Sequence, residues 1–220
     1  MRKMSKADAV KIIHDCAVMY NENLMGKNVL FISTQNDESL AFETLFLPQN
    51  FKHLTGVKTK LSGDQFFRAA VSNKLSQTDI GLTTDGIIEQ KLNVLPGLMN
   101  IHLTARMVGD YDNSMPLLVT DKFAGTVTMA MGFTRVNGFY VPNTALMKDI
   151  RDITIHATRR KVAAILIKLR SDELYRRLTY IAKDLTVDDS VFATIAQEKA
   201  DMDNLTADFP IPRIPVADNK

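Results

Sequence analysis

The residues best suited to chemistry stand together in one short run, Asn50-Phe51-Lys52-His53-Leu54-Thr55-Gly56-Val57-Lys58-Thr59. An imidazole titrates near neutral pH, so His53 is equipped to take or give a proton. Thr55 and Asn50 offer polar contacts to a substrate, and Lys58 offers charge to a phosphoryl oxygen. Gly56 lets a phosphate approach the backbone closely. Phe51, Leu54 and Val57 would pin the segment to a core, and residues 49–60 read as an irregular loop following a strand that Pro48 ends. The plain alternative is a histidine that caps the following turn. His14 falls on a helix exterior, His102 just before a strand, and His156 on the polar side of an alternating strand, all bystander positions.

Other candidates lie later in the chain. Lys168 ends the apolar run at residues 162–167, shares the parity of Val162, Ala164 and Leu166, and is followed by Arg170 on the same side. A charge at the lip of a central strand reaches a cleft from rigid support, although a strand-end lysine also commonly goes to solvent. Arg135 and Tyr140 flank Asn137-Gly138, and Asn143 follows Pro142; these are ordinary hairpin-end residues as well as candidates for substrate contact. Asp110, Asp112, Ser114 and Asp121 take four positions of a calcium-loop template, but Met115 stands where that loop needs glycine. Neither a Cys/His cluster, a phosphate-binding P-loop nor a Gly-x-Ser-x-Gly elbow occurs. These readings point away from metal-, nucleotide- and serine-dependent catalysis and call for no cofactor.

Such side chains need a scaffold, and the composition supplies one. The chain has 220 residues, of which 45% are hydrophobic and 24% charged, which excludes disorder over most of its length. Its longest uninterrupted apolar run is six residues, against about 20 for a bilayer span, and the opening residues read as no secretory signal. The single cysteine, Cys16, forms no internal disulfide, and a reducing cytoplasm is the expected home. The net charge of +2 conceals an asymmetry: residues 148–183 carry 10 basic and 4 acidic side chains, residues 184–210 carry 1 and 7. That pattern fits an anionic partner, or two faces that neutralise each other.

The expected elements run in order. Ser5 and Asp8 open a helix whose apolar stripe includes Cys16, read as a core residue, and Gly26 stops it. Residues 29–33 and 40–47 form a hairpin, Ser62 with Gln65 opens a second helix, and a third runs from near Asp85 to a stop or kink at Pro96-Gly97. From Leu103 to Leu169 strands dominate: an alternating one over residues 126–134, a hairpin at Asn137-Gly138, and a doubly covered strand at 162–167. Ser171 starts a further helix, residues 186–202 another, and the proline-bearing tail is extended or disordered. The fold class is α+β, an antiparallel β-sheet packed against N-terminal and inserted helices, with extra C-terminal helices. The organisation is an N-terminal helix (1–26), the main α+β domain (27–183), an acidic helix (184–208) and a tail (209–220).

The run Asn50-Phe51-x-His53-Leu54-Thr55-Gly56, after a strand ending in Phe46-Leu47, resembles the signature of the phage-associated Barnase/EndoU/colicin/RelE-like nucleases, fourth group. Lys91-Leu92 with Leu95, Gly109-x-Tyr111-Asp112, Tyr140-Val141-Pro142-Asn143, and Lys168 with Tyr175 extend the resemblance over residues 25–183. It implies the helix-plus-antiparallel-sheet fold of metal-independent ribonucleases carried by phages and mobile elements. His53, Thr55, Lys58, Tyr140, Asn143 and Lys168 match its motif regions. The expected function is RNA cleavage, possible on tRNA as a toxin or effector, by attack of the 2′-OH on the adjacent phosphate. His53, Lys58, Lys168 and Tyr140 would be catalytic, and Asn50, Thr55, Arg135, Asn143 and Arg170 would bind substrate. The partner is RNA, with an inhibitory or host protein as a further one and no membrane. The alternative is a catalytically inactive nucleic-acid- or protein-binding module on the same fold. A third reading folds the acidic segment 184–210 over its own basic cleft.

Overall fold

The computed structural model describes residues 4–35, 38–115, 118–175, 177–183 and 208–210. Helix α1 (Lys6–Asn23) starts as its sequence dictates: the Ser5 hydroxyl accepts the Asp8 N–H at 3.1 Å, and the Asp8 carboxylate accepts the Ser5 N–H. Ala9, Ile13, Cys16, Ala17 and Tyr20 form its buried stripe. Burial, then the neighbouring Asp15 charge, pushes the Cys16 thiol up to about 12, as suits a packing residue. The helix ends at Asn23, with Leu24 closing it, and Gly26 lies beyond in a turn. His14, expected in solvent, is half-buried and bonds the Ala70 carbonyl at 2.8 Å.

The first hairpin comprises β1 (Lys27–Gln35) and β2 (Glu38–Leu45). Next come α2 (Pro48–Thr55), α3 (Gly63–Val71), α4 (Ile87–Leu98) and α5 (Ile101–Thr104). Five strands follow in β3 (Met107–Asp110), β4 (Lys122–Gly125), β5 (Ala130–Val136), β6 (Phe139–Leu146) and β7 (Arg160–Leu169). Then β8 (Arg177–Ile181) and β9 (Asp208–Pro210) complete the described elements.

Sheet neighbours run β1, β2, β6, β5, β4, β3, β7, and β7 pairs β1 again, so the hydrogen bonding closes a circuit, with β8 on β7 and β9 on β2. All pairings are antiparallel except β2 with β6, which meet in one parallel pair, Thr44 with Tyr140. One face shares its core with the helices: Phe31 stacks on Phe42 at 5.0 Å, both meet Phe133, and Phe46 leads to Tyr20, Phe51 and Phe67. Helix α1 packs on α3 and α4 within that core.

Several expectations need correction. Residues 49–55 are not irregular, because Pro48 occupies a first-turn position where a missing N–H costs nothing and α2 runs to Thr55, whereas residues 56–60 are irregular as expected apart from an isolated bridge at Lys58. Helix α4 continues through Pro96, since Leu92, Leu95 and Leu98 are buried on either side of it. Residues 101–104 are helical, and His156 sits in a 3₁₀ turn, His156–Thr158, rather than a strand. Residues 126–129 form a turn in which the Thr126 N–H donates to the Met129 carbonyl, so β5 begins only at Ala130. The hairpin at Asn137-Gly138 is as expected: both residues take positive φ (50° and 86°), as a two-residue turn of this kind demands. No helix starts at Ser171. The Asp172 carboxylate turns back to accept the Leu169 N–H at 3.3 Å, and the chain proceeds into β8. The helix expected over residues 186–202 lies outside the described residues. Asp208, expected to end that acidic helix, is extended in β9.

A buried carboxylate crosses the sheet where β1 and β2 meet the 171–175 turn. Glu43, 3% exposed, accepts from the Asn28 amide at 2.7 Å and from the Tyr175 hydroxyl. Removing one donor from a buried acceptor costs about 1–3 kcal/mol. Tyr175→Phe should therefore lower the urea unfolding free energy by that amount with an unchanged m-value; an unaltered midpoint would remove Tyr175 from the list of stabilising contacts.

Candidate functional site

Helix α2 shapes the candidate site. At its start the Asn50 side-chain oxygen accepts the Leu47 N–H at 3.2 Å, and at its end the Thr55 hydroxyl donates to the Lys52 carbonyl at 2.8 Å. Gly56 then takes φ +69°, the left-handed conformation that closes a helix without side-chain strain. Asn50 and Thr55 are thus buried and engaged with the ends of the helix. Asn50→Ala should cost about 1 kcal/mol of stability, the usual value of a lost cap. Thermal unfolding checks this; an unaltered melting temperature would mean that the bond to the Leu47 N–H does not stabilise the helix start.

His53 stands exposed on the outer side of α2. Its imidazole lies below the ordinary value of 6.5, through partial burial first and then the charges of Lys52 and Lys91. At neutral pH the ring is therefore neutral and able to accept a proton. Lys52 is anchored by a 2.8 Å bond to the Leu61 carbonyl.

Lys91 is the residue that reading the sequence for site groups passed over. It projects from α4 between that helix, the end of α2 and β6: its Nζ donates to Thr144 Oγ1 at 2.8 Å and reaches the His53 carbonyl at 3.5 Å. Burial lowers its pKa to about 8. An ammonium with that value is mostly protonated at neutral pH yet releases its proton readily. Gly56 leaves the room it needs, for a Cβ there would stand 2.7 Å from Lys91 Cδ. Two signals are available in the sequence: Lys91-Leu92 is among the motifs of the resemblance noted above, and Lys91 is on the inward side of α4, three residues after Ile88 and one before Leu92.

The remaining candidates divide by location. Lys58 is exposed just beyond α2, its backbone bridged to Gly81, and its charge reaches Asp85. Tyr140 and Asn143 belong to β6, which packs against α2. Tyr140 is buried edge-on to Phe42 at 5.7 Å, with Lys122 Nζ 5.8 Å from its ring. Asn143 accepts from Thr120 Oγ1 at 3.0 Å and donates to the Val119 carbonyl, fastening the chain before β4. Arg135 is exposed, while its backbone N–H donates to Asp121 at 2.7 Å. In the calcium-like run Asp110 is paired with Lys122, Asp112 accepts the Ser114 N–H, and Asp121 accepts from Thr134 Oγ1 and the Arg135 N–H. Lys168 belongs elsewhere: its ammonium donates to the Asp172 and Glu173 carbonyls at 2.7 and 3.1 Å and lies 5.1 Å from the Tyr175 ring centre. Arg170 is exposed and its N–H donates to the Gly26 carbonyl. The cations whose charge acts on His53 are Lys52 and Lys91.

Compared with known families, residues 12–184 match the model described as phage-Barnase-EndoU-ColicinE5/D-RelE like nuclease4. Searches of curated proteins and of solved structures return no match. No helix among the described residues is long and apolar enough to cross a membrane.

Proposed function

Since the chain belongs to the phage-Barnase-EndoU-ColicinE5/D-RelE like nuclease4 family, a nuclease family acting on nucleic acid, we propose that it is an endoribonuclease whose reaction is centred on His53 and Lys91. The observation that carries this reading is the placement of the Lys91 ammonium on the His53 backbone carbonyl and Thr144 Oγ1, where its charge acts on the exposed imidazole of the same residue. Neutral His53 takes the 2′-OH proton, the 2′ oxygen attacks the adjacent phosphorus, and the bond to the 5′ oxygen breaks. Lys91 gives its proton to that leaving oxygen, so a 2′,3′-cyclic phosphate and a 5′-hydroxyl result. Lys58 holds the phosphate from the exposed segment beyond α2, and Arg135 and Arg170 hold flanking phosphates of the strand, which makes binding salt-sensitive. Tyr140, set against Phe42, positions β6 beneath the pair.

The second reading, a binding module without turnover, draws on the other engagement of Lys91, which also satisfies a C-terminal carbonyl of α2. Incubation with tRNA and with total RNA in EDTA separates the two. Cleavage leaving 2′,3′-cyclic phosphate ends is the expected result. Retention of intact RNA in a stable complex would establish the binding module, and cleavage leaving 3′-hydroxyl ends would overturn the 2′-OH mechanism.

A further inference from the structure

A second cationic site lies away from His53, where β1 and β8 flank the end of β7. A cavity of about 140 Å³ is lined there by Lys27, Ile167, Lys168, Leu169, Asp172 and Arg177. Lys27 pairs with Leu169 on one side of β7 and Arg177 pairs with Ile167 on the other. Paired residues project to the same face of a sheet, and Ile167 and Leu169 share that face because side chains alternate along a strand. The register therefore brings the lysine and the arginine to one side of the sheet.

Three cations, Lys27, Lys168 and Arg177, line the cavity with one carboxylate, Asp172. Among the described residues, no carboxylate forms an ion pair with Lys27 or Arg177, and the Lys27 ammonium donates to the Glu22 backbone carbonyl. The Asp172 carboxylate is engaged, its Oδ2 accepting from the Leu169 N–H and its Oδ1 from the Ser171 hydroxyl. Lys27 is pushed below its ordinary value by burial and then by Arg177. His102 on α5 is 6% exposed, its Nδ1 has no hydrogen-bond partner, and burial followed by the charges of Lys27 and Arg177 lowers it to about 4. The charge of Arg177 thus disfavours the proton on Lys27, and the charges of both disfavour one on His102. Holding like charges together in this way costs folding energy unless a ligand of opposite charge supplies the balance.

We infer that the cavity between Lys27 and Arg177 is a phosphate subsite that holds a backbone phosphate of the RNA away from the scissile bond. A tetrahedral phosphate fits the chemistry: the guanidinium offers paired N–H donors and the ammonium a point charge. The RNA assignment rests on the function proposed above, whereas the anion site itself does not.

The test has two arms. In the first, the His102 imidazole of the wild-type protein is titrated by NMR in sodium phosphate and in sodium chloride of equal ionic strength. A bound phosphate raises the His102 pKa relative to chloride; equal values in the two salts overturn the subsite. In the second, a fluorescent single-stranded RNA is titrated at several salt concentrations onto His53→Ala protein, alone and combined with Lys27→Gln and Arg177→Gln. Each neutralised phosphate contributes about 0.7 to the slope of log affinity against log salt for a single strand, so loss of the one phosphate held by both side chains should reduce the slope by about 0.7 and weaken binding at low salt. An unchanged slope beside a positive phosphate arm would assign the site to an anion other than RNA. Loss of RNA binding by the parent protein as well would sink the ribonuclease reading while leaving the phosphate arm to decide the site.

Discussion

His53→Ala should reduce RNA cleavage by about 10²–10⁴-fold, the range a positioned general base contributes, and leave the fold intact. The fold survives because the ring is exposed and the part of His53 that Lys91 contacts is its carbonyl, which alanine retains. The pH profile identifies the role. Burial, Lys52 and Lys91 all penalise the imidazolium, so its deprotonation falls below 6.5. A base must be neutral to act. Cleavage should accordingly hold steady down to that point and decline only below it, and the decline should vanish in His53→Ala. Lys52→Gln removes one of the penalising charges and should move the acid limb back toward 6.5. Initial rates across a pH series under substrate-limited conditions give both numbers. Equal cutting by wild type and His53→Ala would take the imidazole out of the mechanism.

Legibility followed the range of the forces involved. The α1 cap, the Asn137-Gly138 turn and the buried β7 run are decided by neighbours in sequence, and each was readable there. Helix α2 escaped because eight residues give too little periodicity to compete with a proline read as a strand stop. What settles it is packing against α3 and β6, which lie further along the chain. Ser171 misled for a different reason: Asp172 can serve the turn behind it as easily as a helix ahead, and only the position of the Leu169 N–H selects between them. Circuit closure rests at one joint on the single parallel pair of Thr44 and Tyr140, a contact that no local pattern announces. The site divides in the same way. His53 and its polar neighbours were visible as a run, whereas Lys91 acquires its meaning from Thr144, 53 residues distant, and from the end of α2. Asn50 and Thr55 show the converse, since polar residues beside a histidine can be occupied by the geometry of their own helix.

Lys91→Met should lower cleavage by about 10²–10³-fold, the usual effect of removing a well-placed donor, and abolish the alkaline limb. In the wild type that limb falls near 8, because Lys91 must be protonated to serve the leaving oxygen and loses its proton as pH rises through that value. Gly56→Ala reaches the same group indirectly. A residue with a side chain at φ +69° is strained by about 1–2 kcal/mol. The new methyl would also stand 2.7 Å from Lys91 Cδ. Since a lysine stem is flexible, the clash is relieved by moving the ammonium away from Thr144 and the His53 carbonyl instead of by unfolding α2. Misplacement of about 1 Å costs up to about 10²-fold in rate. The double variant discriminates: on a Lys91→Met background, Gly56→Ala should still lower the melting temperature but take nothing further from the cleavage rate, because the group it displaces is already gone. Equal rate losses on the two backgrounds would mean that Gly56 acts on the reaction by another route, such as contact between its own backbone and the substrate phosphate.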